Sequence, residues 1–176
     1  MSENSDELHW RETYFILFPQ DRRPNLEQVT LAISGANARF QLKNPAGDDN
    51  GLFASLLVES PEDHAAVEIS YEVGDAITEQ NLEWAQHLQD QLAPEQIQDM
   101  IRADARLDIA HFERVPAGAS ESTAEPSALF GDEYDEDDEE GAFDMLDPTC
   151  MLTVVDTLSQ LTAGLTFDPA SGEVVE

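Results

Sequence analysis

The chain has 176 residues, of which 38 are acidic and 8 basic, giving a formal net charge of −30, with 41% hydrophobic content and a single cysteine. This length suits one domain that folds without disulfides or metal, and the lone Cys150 excludes an internal disulfide. A surface this negative repels phosphate backbones and anionic lipids, so neither nucleic acid nor membrane is an expected partner.

The opening residues lack the basic and apolar regions of a secretory signal. No apolar run approaches the ~20 residues that span a bilayer, so a cytoplasmic protein is expected. Residues 1–11 are polar and are read as a flexible N-terminus. Tyr14 to Phe18 is a continuous apolar run ended by Pro19, the pattern of a buried central strand. After a loop at residues 20–24, Asn25 is placed to cap a helix with Leu26, Val29 and Ile33 on one face and Gly35 at its close.

Ala38, Phe40 and Leu42 alternate with polar residues as in a half-buried strand, and residues 44–51 carry turn chemistry. Leu52 to Val58 reads as a second strand. Val67, Ile69, Tyr71 and Val73 alternate with Glu68, Ser70 and Glu72 to make a third. Together they predict a three-stranded antiparallel meander. Thr78 is read as the cap of a helix with Leu82, Ala85, Leu88 and Leu92 inward, and Pro94 opens a shorter helix through Ile101. Ala105, Leu107 and Ile109 begin a further strand that runs to about Phe112.

Residues 116–142 then turn rich in Gly, Ala, Ser, Pro and acid, a composition that cannot build a core. Asp147-Pro148 announces a last helix carrying Met151, Val154, Val155, Leu158 and Leu161 and ending at Gly164. Residues 165–167 and 173–175 flank a turn as a terminal hairpin. The expected organisation is a flexible stretch at 1–11, an α+β core at 12–115 and an acidic, disordered insert at 116–143. Residues 144–176 supply a C-terminal helix and short hairpin that complete the same domain. The element order resembles a ferredoxin-like βαββαβ plan with one extra strand. The predicted fold is thus α+β, a ferredoxin-like-type antiparallel sheet with helices packed on one face. That likeness concerns element order and carries no function.

The charge is unevenly spread. Residues 115–176 hold 16 acidic residues and no basic one, whereas residues 1–114 hold 22 acidic and all 8 basic. Adaptation to high salt would explain a diffuse, Lys-poor acidity but not this concentration. In the stretch Asp132, Glu133, Tyr134, Asp135, Glu136, Asp137, Asp138, Glu139 and Glu140, all but Tyr134 are carboxylates, and Phe130 and Phe143 flank the run. One reading is a solvated loop. The other is a docking segment in which acid steers and the aromatic residues anchor on a basic protein. The run also falls on calcium-loop spacing from Glu136 to Asp147, but with the wrong residues at both ends and no helix before it.

Other candidates are weaker. Arg22 and Arg23 form the one basic pair and precede a helix, where anions are favoured, although Asp21 and Glu27 oppose this. His9, His64, His87 and His111 show no metal spacing, and His111 falls on the inward side of its strand. Cys150 lies in a first helical turn amid acid and is expected to be buried and inert. Trp10 and Trp84 are read as packing residues. No GxSxG, P-loop or GxGxxG motif is present, so no cofactor is expected.

The reading that follows is a non-enzymatic interaction or regulatory module that binds a basic protein partner. The alternatives are an enzyme whose site gathers Arg22, Arg23 and His111, and a structural homodimer joined by strand edges.

Overall fold

The computed structural model describes residues 7–115 and 148–175. The strands are β1 (Glu7–Phe18), β2 (Gln41–Gly47), β3 (Phe53–Ser60), β4 (Ala65–Val73), β5 (Ala105–Val115), β6 (Leu165–Asp168) and β7 (Glu173–Val175). The helices are α1 (Leu26–Ala36), α2 (Asp75–His87), α3 (Pro94–Arg102) and α4 (Thr149–Thr162). The strands form one sheet in the order β2-β3-β4-β5-β1-β6-β7, and every neighbouring pair is antiparallel. The fold is therefore α+β, with the meander, the last helix and the closing hairpin in the expected places.

β1 explains the layering. It lies near the middle of the sheet, between β5 and β6, and is apolar on both sides. Ile16 and Phe18 face a core closed by Val29 and Ile33 of α1 and by Met151, Val154 and Leu158 of α4. Leu17, with Phe15 beside it, faces the opposite way into a second core with Ala85 of α2, Met100 of α3 and Phe167 of β6. The helices consequently divide between the two faces, a correction to the one-face packing expected from the ferredoxin-like element order. A strand with large apolar side chains on both sides has to be covered twice.

Boundaries differ where pairing outweighs local propensity. β1 starts at Glu7, inside the stretch expected to fray, because Glu7 to Trp10 continue the ladder with Phe112 to Val115 beyond an irregularity at Arg11. β2 runs on through Pro45 with two register shifts, which an edge strand tolerates because its outer N–H groups need no partner. α2 begins at Asp75 rather than after Thr78, since Gly74 adopts φ 135°, open to glycine alone, and turns the chain into the helix. That start places Asn81 and Ala85 inward and leaves Leu82 exposed, reversing the role expected of Leu82.

Gly35, read as the close of the first helix, takes no positive φ and stays inside α1, which runs on to Ala36 and is capped by Asn37. The start of that helix follows its local signal. Asn25 accepts from the Gln28 N–H, while the Gln28 side chain accepts from the Asn25 N–H, a reciprocal cap at the start of α1. Gly164 joins α4 to β6 where a Cβ would stand 2.5 Å from Ile16 Cγ2 and 3.0 Å from the Leu17 carbonyl oxygen.

Candidate functional site

All eight basic residues lie among the described residues, and seven of them are engaged with groups of the protein itself. Arg23 donates twice to the Phe53 carbonyl, at 2.9 and 2.7 Å. It also reaches Asp48 at 3.2 Å and lies 4.0 Å over the Tyr71 ring. Arg106 bridges Asp108 and Gln80 and stacks 4.1 Å over Phe15. Arg114 and Lys43 both close on Glu59, each at 2.7 Å, and Arg11 pairs with Glu113. Arg39 binds Glu62, and Arg22 donates to the Ala163 carbonyl. The folded part uses its cations as internal clamps.

Among the described residues, many carboxylates face solvent without such partners. Asp75, Glu79 and Glu83 follow one another at four-residue spacing along α2, all exposed. Two carboxylates are electrostatically distinct. The backbone N–H of Leu52, then that of Asn50, and then Arg23 hold Asp48 below its ordinary value. Burial pushes the Asp108 carboxyl up, more than Arg106 pulls it down.

The residues proposed for partner contact, Phe130, Asp132 to Glu140 and Phe143, lie outside the described residues. What the structure places is their point of departure. The chain enters that segment from Val115 at the end of β5, opposite Glu7 of β1.

Among the described residues, nothing covers the half of the sheet next to this exit on the α2–α3 side. Those two helices shelter Phe15, Leu17 and Phe167, but the register carries the same face on to Trp10 opposite Phe112, and to Leu8 opposite Arg114. Leu8 is 41% and Trp10 61% exposed. Leu8, Phe112, Leu57 and Glu68 line an open groove of about 340 Å³ that crosses β1, β5, β4 and β3. Trp10, read from the sequence as a packing residue, belongs to this open face, while Trp84 does pack, 4.8 Å from Phe167 and 5.5 Å from Phe15. The signal was present in the period-two spacing of Leu8 and Trp10 within a polar stretch.

The residues named for an enzyme site do not converge. Arg22 lines a pocket of about 220 Å³ with Asp99, Arg102 and Gly164, whereas Arg23 is held against Tyr71 and Phe53. His111 is buried farther along β5, its Nδ1 at 3.4 Å from Glu12 Oε1 without hydrogen-bond geometry. His64 occupies a left-handed turn at φ 49° and His87 is exposed. Cys150 is fully buried in the first turn of α4, against the core.

Among the described residues, no three His, Cys, Asp or Glu side chains are gathered to hold a metal ion, and no helix is long and apolar enough to cross a membrane.

No family model, curated protein or solved structure compared with the chain matches it. The functional reading rests on this geometry and charge alone.

Proposed function

We propose that the protein is a non-enzymatic interaction module that binds a basic protein partner, with Phe130, Phe143 and the carboxylates of residues 132–140 as the principal contacts. One observation carries this reading: the internal consumption of cations. Because seven of eight basic side chains are engaged within the fold, the remaining carboxylates project an almost unopposed negative field. Such a field raises the encounter rate with a cationic partner and repels anionic ones. The segment 116–147 adds 12 acidic residues and no basic ones, and the chain enters it from Val115, three residues beyond Phe112, the cross-strand neighbour of the exposed Trp10.

The edges of the sheet favour this reading over a homodimer built by strand addition. β2 carries Pro45 and irregular register, and β7 has three residues beginning with Glu173, so neither edge offers a long regular ladder.

The test is binding of a cationic probe, oligolysine, to the full chain and to a variant lacking residues 118–143, measured by titration calorimetry at two salt concentrations. The deletion is expected to leave thermal unfolding cooperative and to weaken binding strongly at low salt, with little difference at high salt. Equal binding by both proteins at low salt, or no binding by either, would falsify the proposal.

A further inference from the structure

We propose that the pocket between the end of β1, α3 and the α4–β6 junction binds a small carboxylate that carries a hydrogen-bond donor next to its carboxyl group. The site is independent of the segment assigned to the basic partner.

The pairing of the cations singles it out. Arg11, Arg23, Arg39, Lys43, Arg106 and Arg114 each stand within ion-pair distance of a carboxylate. Among the described residues, Arg22 and Arg102 have no such carboxylate, and both line one pocket of about 220 Å³. Arg22 is fixed there by one N–H donated to the Ala163 carbonyl at 3.1 Å, which leaves the rest of its donor fork free. Arg102, in the last turn of α3, makes no hydrogen bond or ion pair among the described residues. With 38 acidic residues to 8 basic ones, an arginine without a carboxylate is the exception, and here both exceptions share a cavity.

The rest of the wall selects the ligand. A guanidinium fork matches the two oxygens of a carboxylate. Asp99 also lines the pocket, so two positive side chains stand against one negative. That balance suits a single negative charge and disfavours a phosphate dianion. Asp99 accepts hydrogen bonds, which calls for a hydroxyl or ammonium donor on the ligand. Leu17, Pro19 and Leu165 offer an apolar side for a short hydrocarbon body, and the pairing of Leu17 with Leu165 across β1 and β6 holds that side in place. The volume lies below the ~300 Å³ at which pockets for drug-sized ligands begin, so the ligand is small. A monovalent or zwitterionic compound is also repelled least by the −30 of the whole chain.

The test is an NMR titration of the full, isotope-labelled chain with lactate, alanine and inorganic phosphate. Lactate or alanine is expected to move the side-chain Nε–H signals of Arg22 and Arg102 and the backbone signal of Gly164 saturably. The signals of Arg23 and Arg106, held elsewhere by Asp48 and Asp108, are expected to stay. Whichever of the two binds more tightly tells whether the donor beside Asp99 is a hydroxyl or an ammonium. Arg102→Gln is expected to weaken the better ligand about tenfold while leaving the thermal unfolding midpoint in place. Asp99→Ala is expected to weaken the same ligand and to improve phosphate.

Tighter binding of phosphate than of lactate or alanine would assign the pocket to a phosphate compound and overturn the carboxylate inference. Shifts spread over all arginine signals, the absence of saturable shifts with any probe, or undiminished binding by Arg102→Gln would mean that the two guanidinium groups form no site. None of these results bears on oligolysine binding, so the two proposals fail separately.

Discussion

Arg23 shows how much one side chain can hold in this fold. Its guanidinium fork takes the Phe53 carbonyl at the start of β3, reaches Asp48 in the adjoining turn and stacks on Tyr71 of β4. A lysine offers a single charge without the fork or the planar stack. Arg23→Lys is therefore expected to cost about 2 kcal/mol, read from the midpoint of urea unfolding. Asp48 and Asp108 respond oppositely to acid. The folded pKa of Asp48 is lowered, so its contribution is present above the unfolded carboxylate range and is lost as pH falls through the folded value. The folded pKa of Asp108 is raised, so its contribution is fully present below the unfolded value and is lost as pH rises through the folded one. In stability–pH curves, Asp48→Asn should remove part of the loss on the acid side. Asp108→Asn should gain on the parent protein as pH climbs out of the carboxylate range. The opposite ordering would refute the burial of Asp108 as the dominant cause of its shift.

Among the elements, the junction of α4 and β6 holds the most closely enclosed of the described glycines, Gly164. Gly164 passes so close to Ile16 and the Leu17 carbonyl that an added methyl has nowhere to go. Gly164→Ala should destabilise by about 1–3 kcal/mol, measured by chemical denaturation, while Gly35→Ala, inside α1 with nothing near the added Cβ, should stabilise by about 0.5–1 kcal/mol. The sequence already pointed to this glycine as the end of the helix, but not to the strand pressing on it, because Ile16 is distant along the chain. The same distinction runs through the molecule. Asn25 and the alternation in β4 are local signals and read directly. The start of β1 at Glu7, the burial of Asn81 in place of Leu82 and the sharing of helices between two faces depend on partners brought from elsewhere. The open aromatic face was hidden for that reason: Leu8, Leu57 and Phe112 become neighbours only once β1, β3, β4 and β5 are in register. The acidic run needed no fold to be noticed, since composition alone displays it.

At the scale of the whole molecule, self-repulsion is the governing electrostatic quantity. With the cations already engaged, added salt has few attractive pairs left to weaken and much repulsion to screen. Thermal unfolding followed by circular dichroism should move to higher temperature as sodium chloride is raised from low concentration. Replacing the carboxylates of residues 132–140 by amides should reduce that increment. A fall in unfolding temperature with salt would mean that the internal ion pairs dominate instead. The position of β1 also has a consequence for biosynthesis. This first strand lies between β5 and β6, so the ribosome has made Phe15 long before Phe167, its eventual neighbour, exists. The apolar run from Tyr14 to Phe18 must wait, incompletely covered, until the last helix and hairpin are translated. During that interval the most recently made part of the chain is its most acidic part. The densest negative charge of the chain thus follows the half-built sheet in order of synthesis, and like-charge repulsion between such incomplete chains is expected to oppose their association while the fold is unfinished.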